Sequence, residues 1–318
     1  MRAVTVVDGR VEVRDHPDPT PGHGQVRVRV RAAGLNGADL LQVAGQYPAP
    51  PGWPADIPGL ELAGEVDALG PGATRFQAGD RVMAVVGGGG QAERAVIHER
   101  EALPVPDGIG WAEAGGFPEA FTTAHDALFT QAGLSVGERL LVTGAAGGVG
   151  TAGVQLGLAA GARVTASVRA PERRDDVAAL AGAGGELVVV DPADVAGAGP
   201  YDVVLELVGA PNLPTDLAAL ATGGRIAVIG TGAGRRAEVD LGVLMRARGR
   251  IHGSTLRARP LEAKAAAARA LEAQVLPHLA AGRVRVPVLA GFPLEDAAGA
   301  YERFASGSKL GKVVVLTR

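Results

Sequence analysis

A glycine-rich turn is the stretch of this sequence with the clearest chemical use. The apolar run Leu140-Leu141-Val142 predicts a buried strand, Gly144–Gly150 predicts a tight turn, and a helix should follow to about Ala160. Such a turn lets backbone N–H groups approach a pyrophosphate, and the helix N-terminus adds partial positive charge. The stretch therefore predicts a dinucleotide site. A tight strand-to-helix turn that binds no ligand is the alternative interpretation.

The segments after this turn alternate between strand and helix. A second apolar strand, Ala162–Val168, begins about 20 residues after the first, as a βαβ unit requires. A helix is predicted over Pro171–Ala181, and further strands are predicted at Leu187–Val190, Val203–Leu207 and Arg225–Ile229. This alternation predicts the α/β class, with a doubly wound parallel sheet.

The end of the second strand carries the residues that would distinguish two forms of the dinucleotide. Sheets that prefer NAD place Asp or Glu there, on the ribose 2′-hydroxyl, whereas this chain has Val168. Arg169, Arg173 and Arg174 follow, and guanidinium groups suit a 2′-phosphate. The sequence therefore favours NADPH (NADP) over NADH. The alternative is a solvated helix face, in which these arginines pair with the two aspartates after Arg174.

Residues 1–119 have a different pattern. Short strands are separated by glycine and proline turns, which predicts a β-rich, barrel-like domain. The predicted strands are Arg2–Val7, Val11–Arg14, Gln25–Ala33, Gly64–Leu69, Arg81–Val85 and Ala92–Ile97.

The remaining segments give the domain plan. Phe117–Phe129 is predicted to be helical, Ile251–Ser254 a strand, and Pro260–Ala281 a helix with a break at Pro277. Strands are expected at Arg283–Val288 and Lys312–Leu316. The plan is a β-rich domain over residues 1–119, a dinucleotide-binding domain over 120–259 and a C-terminal return to the first domain over 260–318.

Composition excludes several classes of function. The net charge is −3 and the arginines are scattered, which disfavours a nucleic-acid partner. There is no cysteine for a disulfide, a thiolate nucleophile or a cysteine-based zinc site, and the six histidines show no ligand spacing. No signal peptide and no apolar run of about 20 residues is apparent. A cytoplasmic protein without a membrane partner is expected.

Motifs spread over nearly the whole chain resemble the zinc-independent medium-chain dehydrogenases/reductases, and the quinone oxidoreductase branch most closely. The motifs are Ala32–Asp39 (AAGLNGAD), Gly45–Pro48 (GQYP), Pro58–Gly64 (PGLELAG), Ala78–Val82 (AGDRV), Thr123–Leu128 (TAHDAL), Gly144–Gly150 (GAAGGVG) and Lys309–Val314 (KLGKVV). Ala78 replaces the proline of the family's PGDRV, and Val43 stands where the family often has arginine. The missing arginine makes a charged or strongly polar substrate a poorer fit.

This resemblance implies a Rossmann sheet plus a β-rich GroES-like barrel that the C-terminus completes. It also implies a metal-free site. Zinc-dependent relatives have cysteine where this chain has Asn36 and histidine where it has Leu60. Without a Lewis acid to lower the pKa of an alcohol, reduction of an already electrophilic substrate fits better than alcohol oxidation.

The resemblance also implies particular site residues. Asn36 is expected near the nicotinamide ribose and Thr123 near the nicotinamide. Tyr47 is the candidate for a hydrogen bond or proton to the substrate oxygen, although plain packing in a proline-rich loop is an equal alternative. The other expected cofactor contacts are Ala146, Gly147, Gly148 and Val149 at the pyrophosphate, Ser167, Arg169 and Arg173 at the 2′-phosphate, and Val208, Gly230 and Thr231 after later strands.

The function expected from these features is NADPH-dependent hydride transfer to a quinone or to the β-carbon of an α,β-unsaturated ketone. One alternative is an enoyl-thioester reductase. Another, of a different class, is a non-catalytic sensor that binds NADPH. By analogy with such folds, we expect a homodimer through the strand near Arg225–Ile229 or Arg250–Ser254.

Overall fold

The computed structural model describes residues 1–182, 185–307 and 310–317. The chain divides into two compact units. The first, here called the strand-rich unit, contains Met1–Thr122, Leu256–Gly307 and the last strand. The second, here called the parallel-sheet unit, contains Thr123–Thr255 and, of the described residues just before that last strand, Leu310 and Gly311.

The described residues form fifteen strands and eleven α-helices. The strands are β1 Arg2–Val7, β2 Arg10–Asp15, β3 Gln25–Gly34, β4 Glu61–Leu69, β5 Arg81–Val85, β6 Arg94–His98, β7 Ala102–Pro104, β8 Arg139–Val142, β9 Arg163–Ser167, β10 Leu187–Val190, β11 Tyr201–Glu206, β12 Leu220–Val228, β13 Arg250–Gly253, β14 Val288–Pro293 and β15 Lys312–Leu316. The helices are α1 Gly37–Val43, α2 Trp111–Gly116, α3 Pro118–His125, α4 Gly148–Ala159, α5 Arg174–Ala178, α6 Val195–Ala198, α7 Leu213–Ala218, α8 Leu241–Ala247, α9 Leu261–Gln274, α10 Leu276–Ala280 and α11 Ala297–Ala305.

Short helices of other types connect some of these elements. A π-helix, Asp126–Gln131, continues α3. The 3-10 helices are Pro171–Arg173, Ala179–Ala181, Pro192–Asp194, Ala210–Asn212 and Leu294–Asp296.

The parallel-sheet unit is built on six parallel strands in the order β10-β9-β8-β11-β12-β13. Leu140, Leu141 and Val142 in β8 are completely buried, which agrees with the continuous apolar run of a strand covered on both faces. The strand order reverses between β8 and β11, and this point of a doubly wound sheet is where ligands bind. The glycine-rich turn follows β8 and therefore lies at this point.

The strand-rich unit contains a mostly antiparallel sheet and a hairpin. The sheet order is β14-β15-β3-β4-β5-β7, with β6 also paired to β3, and β1 pairs with β2. Val26, Val28 and Val30 alternate with more exposed residues in β3 and are buried in the core. The C-terminal β15 pairs with β3, so the end of the chain completes this sheet.

The predicted fold class, a Rossmann sheet with a strand-rich GroES-like domain, is confirmed. The break predicted at Pro277 is also present, because α9 ends at Gln274 and α10 begins at Leu276. Proline has no N–H, and its ring clashes with the carbonyl one turn earlier, so the helix cannot continue through it.

Two predicted elements differ from the structure. The predicted strand Arg283–Val288 is wrong: the backbone is irregular until Val288, where β14 begins. Val284 and Val286 are buried, so the alternating pattern marked burial without strand pairing. The helix predicted over Pro171–Ala181 is three short helical pieces, of which only Arg174–Ala178 is an α-helix.

None of the helices formed by the described residues is long and apolar enough to cross a membrane.

Candidate functional site

The glycine-rich turn places the start of α4 at the switch point of the parallel sheet. Gly144 has a positive φ of 58°, and Gly147 is the N-cap of α4. The N–H groups of the first helical residues, Gly148 and Val149, have no acceptor within the helix and can bind an anion. A Cβ atom at Gly150 would lie 2.5 Å from the carbonyl oxygen of Gly144, so the turn can close only with glycine there.

The loop after β11 lies beside this turn. A Cβ atom on Gly144 would contact the Val208 side chain at 3.4 Å. Gly230 follows β12, and a side chain there would collide with the backbone of Leu207. The structure therefore brings together the turn, Val208 and Gly230 at the carboxyl edge of the sheet, while the neighbouring Thr231 is exposed.

A buried carboxylate holds the loop after β11. The Glu206 carboxylate accepts hydrogen bonds from the backbone N–H groups of Val208 and Gly209, both at 2.6 Å, and from the Asn212 side chain at 3.2 Å. Asp216 is its hydrogen-bonded neighbour, and each side chain is 1% exposed. Burial, together with the bond to Glu206, raises the pKa of Asp216 well above its usual range. We call Glu206 and Asp216 the carboxyl pair.

The end of β9 carries several of the predicted cofactor residues. Ser167 is buried, and its carbonyl accepts the N–H of Ala145 in the glycine-rich turn at 3.1 Å. Arg169 is exposed, whereas Arg173 lies 3.0 Å from Asp176. Arg174 donates to the carbonyl of Val168 at 3.2 Å and pairs with Asp191.

The sequence left open the alternative that these arginines pair with aspartates. The structure shows such pairs for Arg173 and Arg174. Arg173, just before α5, pairs with Asp176 of α5, while Arg174 pairs with an aspartate that follows β10. Thr123, also a predicted cofactor contact, is half-buried on α3.

Asn36, in the strand-rich unit, is hydrogen-bonded to both members of a buried ion pair, Lys312 and Glu61. The Lys312 ammonium donates to Asn36 Oδ1 at 2.7 Å and lies 2.5 Å from Glu61 Oε1. The Asn36 amide nitrogen donates to the same Glu61 oxygen at 2.9 Å. The Lys312 and Glu61 side chains are 3% and 0% exposed. We call Asn36, Glu61 and Lys312 the lysine cluster.

Asp39 fixes the backbone around the lysine cluster. Its carboxylate accepts the N–H of Asn36 at 2.8 Å, at the start of α1, and the N–H of Gly59 at 3.0 Å, just before β4. Burial raises the pKa of Asp39 to about 7. The motif residues Asn36 and Asp39 are therefore a helix start that is hydrogen-bonded to the strand carrying Glu61.

Glu119 is a second acid beside the lysine cluster. Its backbone N–H donates to Glu61 Oε2 at 2.9 Å. Its own Oε2 atom is enclosed and has no hydrogen-bond partner among the described residues. Burial, followed by the charge of Glu61, raises the pKa of Glu119 to about 8.

Tyr47 is half-buried and lies under a buried arginine. The Arg257 guanidinium is 4.8 Å from the centre of the Tyr47 ring and donates to the carbonyls of Tyr47 and Gly87, both at 2.8 Å, and to the Gln42 side chain. Burial raises the pKa of Tyr47 above its usual value. Val43, where the family often has arginine, ends α1, and the segment that follows it thus has a cation from a distant part of the chain.

Sequence reasoning missed Arg257, Glu61, Lys312, Glu119 and the carboxyl pair as polar side chains of interest. Glu61 and Lys312 were inside quoted motifs, but only as markers of resemblance. Lys309 of the last motif lies outside the described residues. Among the described residues, no group of three or more His, Asp or Glu side chains could hold a metal ion.

Comparison with known proteins places the chain in a family. Residues 22–131 match the model of the alcohol dehydrogenase GroES-like domain, and residues 175–315 match the zinc-binding dehydrogenase model. The quinone oxidoreductase of Pseudomonas aeruginosa is 32% identical over 320 residues, which cover 96% of this chain and 95% of that protein.

Two further comparisons bear on substrate and cofactor. The polyketide synthase GfsB of Streptomyces halstedii is 39% identical over 210 residues, or 65% of this chain, but the chain spans only 4% of that protein. A mycobacterial protein solved as a complex with NADPH has a TM-score of 0.86 and 27% identity, covering 99% of this chain and 100% of the other. The relatives and the fold of the present chain show that it belongs to the medium-chain dehydrogenase/reductase superfamily, whose oxidoreductases use nicotinamide cofactors.

Proposed function

We propose that the chain is an NADPH-dependent reductase that delivers a hydride to a quinone or an α,β-unsaturated carbonyl compound without a metal ion. The proposal that the reaction needs no metal ion is supported by the Lys312 ammonium, which is held between Asn36 and Glu61. An amide, a carboxylate and a buried ammonium are not the donor set of a zinc ion. The ammonium already supplies the positive charge that balances Glu61.

The parallel-sheet unit fits a dinucleotide. The first N–H groups of α4 and the glycine-only contact at Gly150 leave room for a pyrophosphate against the backbone. Ala146, Gly147, Gly148 and Val149 would line it, with Val208, Gly230 and Thr231 on the neighbouring loops. Bound NADPH would supply the hydride. The roles of Asn36 and Thr123 toward the cofactor stay predictions.

The preference for NADPH rests on the arginines at the end of β9. We assign Arg169 and Arg173, with Ser167, to the 2′-phosphate. Arg173→Ala and Arg169→Ala should each raise the KM for NADPH about 10-fold or more and barely change the KM for NADH, because one charge-assisted hydrogen bond contributes about 1.5–3 kcal/mol. Steady-state kinetics with both cofactors measures this.

Arg163→Ala is the matched control for those two variants. Arg163 is an exposed arginine at the other end of β9 and lies 3.7 Å from Glu186. Its replacement should leave both KM values unchanged. Equal effects of Arg169→Ala and Arg173→Ala on NADPH and NADH would overturn the assignment.

The proposed reaction is tested by turnover. Purified protein with NADPH should reduce 9,10-phenanthrenequinone, 1,4-benzoquinone or an aliphatic enone, and chelators should not change the rate. Tight NADPH binding without turnover of any of these compounds would instead support a sensor.

Reduction of an enoyl thioester is the second candidate. The similarity to a segment of a polyketide synthase favours it, since a reductase within such a protein would meet a thioester-bound chain. The same assay with a medium-chain enoyl thioester decides between the two. Turnover of the thioester alone would replace the quinone proposal.

We also propose a homodimer that forms through β13. Of the two strands predicted for this contact, β12 is paired on both sides, with β11 and β13. Among the described residues, β13 is at the end of the sheet, and Leu241 and Met245 on the preceding α8 are 66% and 75% exposed. Sedimentation analysis should show a dimer that Met245→Lys weakens.

A further inference from the structure

Glu119, which is half-buried, stands out among the acids of the strand-rich unit because one of its oxygens is enclosed and unused. Its backbone N–H is bonded to Glu61, which fixes the first turn of α3 against β4. The carboxyl oxygen Oε2 is enclosed, yet it has no hydrogen-bond partner among the described residues. Asp39 has the opposite character, because its two oxygens accept backbone N–H groups. Because Oε2 has no partner among the described residues, this oxygen of Glu119 is available for another purpose.

The charged groups facing Glu119 are already engaged with other partners. They are Glu61 on β4, Lys312 on β15, Asp39 on α1 and Arg257 before α9; Tyr47 lies close enough for Glu119 to raise its pKa. Lys312 is bound to Glu61 and Asn36. Arg257 is bound to two carbonyls and the Gln42 side chain. Neither cation forms an ion pair with Glu119 in the described residues.

Glu119 is therefore a neutral carboxylic acid at neutral pH. Burial and the negative charge of Glu61 raise its pKa to about 8, while the positive charges of Lys312 and Arg257 act in the opposite direction. A general acid works best when its pKa is near the working pH. Tyr47 is less suited to releasing a proton, because burial raises a pKa that is already about 10.

We propose that Glu119, rather than Tyr47, donates the proton that completes reduction of the carbonyl substrate. This inference rests on the proposed function. The hydride brings two electrons and one hydrogen to the substrate, and the carbonyl oxygen becomes negative. The O–H bond of Glu119 breaks, its proton bonds to that oxygen, and NADP⁺ and the reduced product remain. The Glu119 carboxylate then takes a proton from water.

The principal test is Glu119→Gln, which keeps the size of the side chain but cannot release a proton. With an enone, kcat should fall about 100-fold or more, in line with the usual contribution of a general acid. The KM for NADPH should stay the same. In the native enzyme, kcat/KM should decline above about pH 8, where Glu119 loses its proton, and this decline should be absent in the variant.

Two comparisons separate a proton donor from a structural residue. Tyr47→Phe should keep the decline above about pH 8. A quinone whose hydroquinone anion is stable in water should lose much less rate than the enone in Glu119→Gln, because its product needs no immediate proton. Glu302→Gln, an exposed acid on α11, is the matched control and should behave as the native enzyme.

The outcomes distinguish this inference from the proposed function. A native enzyme that reduces neither quinone nor enone overturns the proposed function. A native enzyme that reduces the enone while Glu119→Gln keeps the same rate and pH profile overturns only the role of Glu119. If Glu119→Gln fails to fold, Glu119→Asp should show a lower kcat and a shifted alkaline decline. An unshifted decline in Glu119→Asp would also overturn the role.

Discussion

The two units each bury a pair of polar side chains beneath predicted site residues, but they balance the charge differently. In the lysine cluster, Glu61 is neutralised by the Lys312 ammonium at 2.5 Å. In the carboxyl pair, Glu206 and Asp216 lie together, and no Lys or Arg in the described part of the chain pairs with either. One arrangement depends on a fixed cation and the other on a proton.

This difference has consequences for how each arrangement responds to its surroundings. The Lys312 ammonium and the Glu61 carboxylate are in contact and both bond to Asn36, so the lysine cluster should hold Asn36 in one position. Two buried carboxyl groups cannot both ionise without repulsion, so the carboxyl pair should keep one proton near neutral pH. The loop bound to Glu206 should then respond to the loss of the proton on Asp216.

The largest effect is expected from breaking the lysine cluster on one side. Lys312→Met leaves the Glu61 carboxylate buried without its cation, and such changes typically cost about 3–5 kcal/mol in the free energy of unfolding. Urea unfolding measures this cost. The double variant Lys312→Met/Glu61→Gln should be less destabilised than Lys312→Met alone, because no buried charge remains. A loss below about 1 kcal/mol in the single variant would show that the buried Glu61 carboxylate does not need the Lys312 ammonium.

A smaller effect is expected from Glu206→Gln, which tests whether the carboxyl pair positions the loop after β11. The bonds from Val208 and Gly209 both reach Glu206 Oε1, which the glutamine oxygen can replace only as an uncharged acceptor, while the bond from Asn212 to Oε2 is lost because an amide nitrogen cannot accept it. Losing a hydrogen bond to a charged group costs about 1.5–3 kcal/mol. The Kd for NADPH should rise about 10-fold, measured by fluorescence titration. Glu238→Gln, an exposed acid of the same unit, is the control. An unchanged Kd would show that the carboxyl pair does not position the loop after β11 for the cofactor.

The sequence predicted the parallel-sheet unit well because its signals are local. Continuous apolar runs and a glycine turn lie within a few residues of one another, and β10 was predicted at its observed bounds, Leu187–Val190. The helix over Pro171–Ala181 was less well predicted, since its three short pieces are set by packing and turns rather than by periodicity. The strand at Arg283–Val288 failed because alternation reports burial, and strand pairing needs a partner that the pattern does not specify.

The lysine cluster could not be assembled from the sequence. Asn36 and Lys312 are 276 residues apart, and an isolated lysine in an apolar strand gives no sign of the carboxylate it will meet. Arg257 gives the same lesson, because it reaches Gln42 from 215 residues away. The glycines and the asparagine of the candidate site were predicted from motifs. Their charged partners depend on tertiary contacts, and the alternative that paired Arg173 with a nearby aspartate became visible only in the structure.

The smallest effect, and the one that separates the two arrangements most directly, is expected from Asp216→Asn. The folded state holds a proton on Asp216 at pH values where the unfolded chain, with a pKa of about 4, has lost it. The stabilising contribution is therefore fully present below about pH 4 and is lost as the pH rises toward the raised pKa of the folded state. Asparagine keeps a hydrogen-bond donor for Glu206 and does not titrate. The variant should resemble the native protein near pH 4 and be more stable by about 1–2 kcal/mol or more near pH 9, where one pKa unit corresponds to about 1.4 kcal/mol. Urea unfolding at both pH values measures the difference, with the exposed Asp175→Asn as control. Parallel pH dependences in native protein and variant would mean that the carboxyl pair does not share a proton, and the contrast with the lysine cluster would disappear.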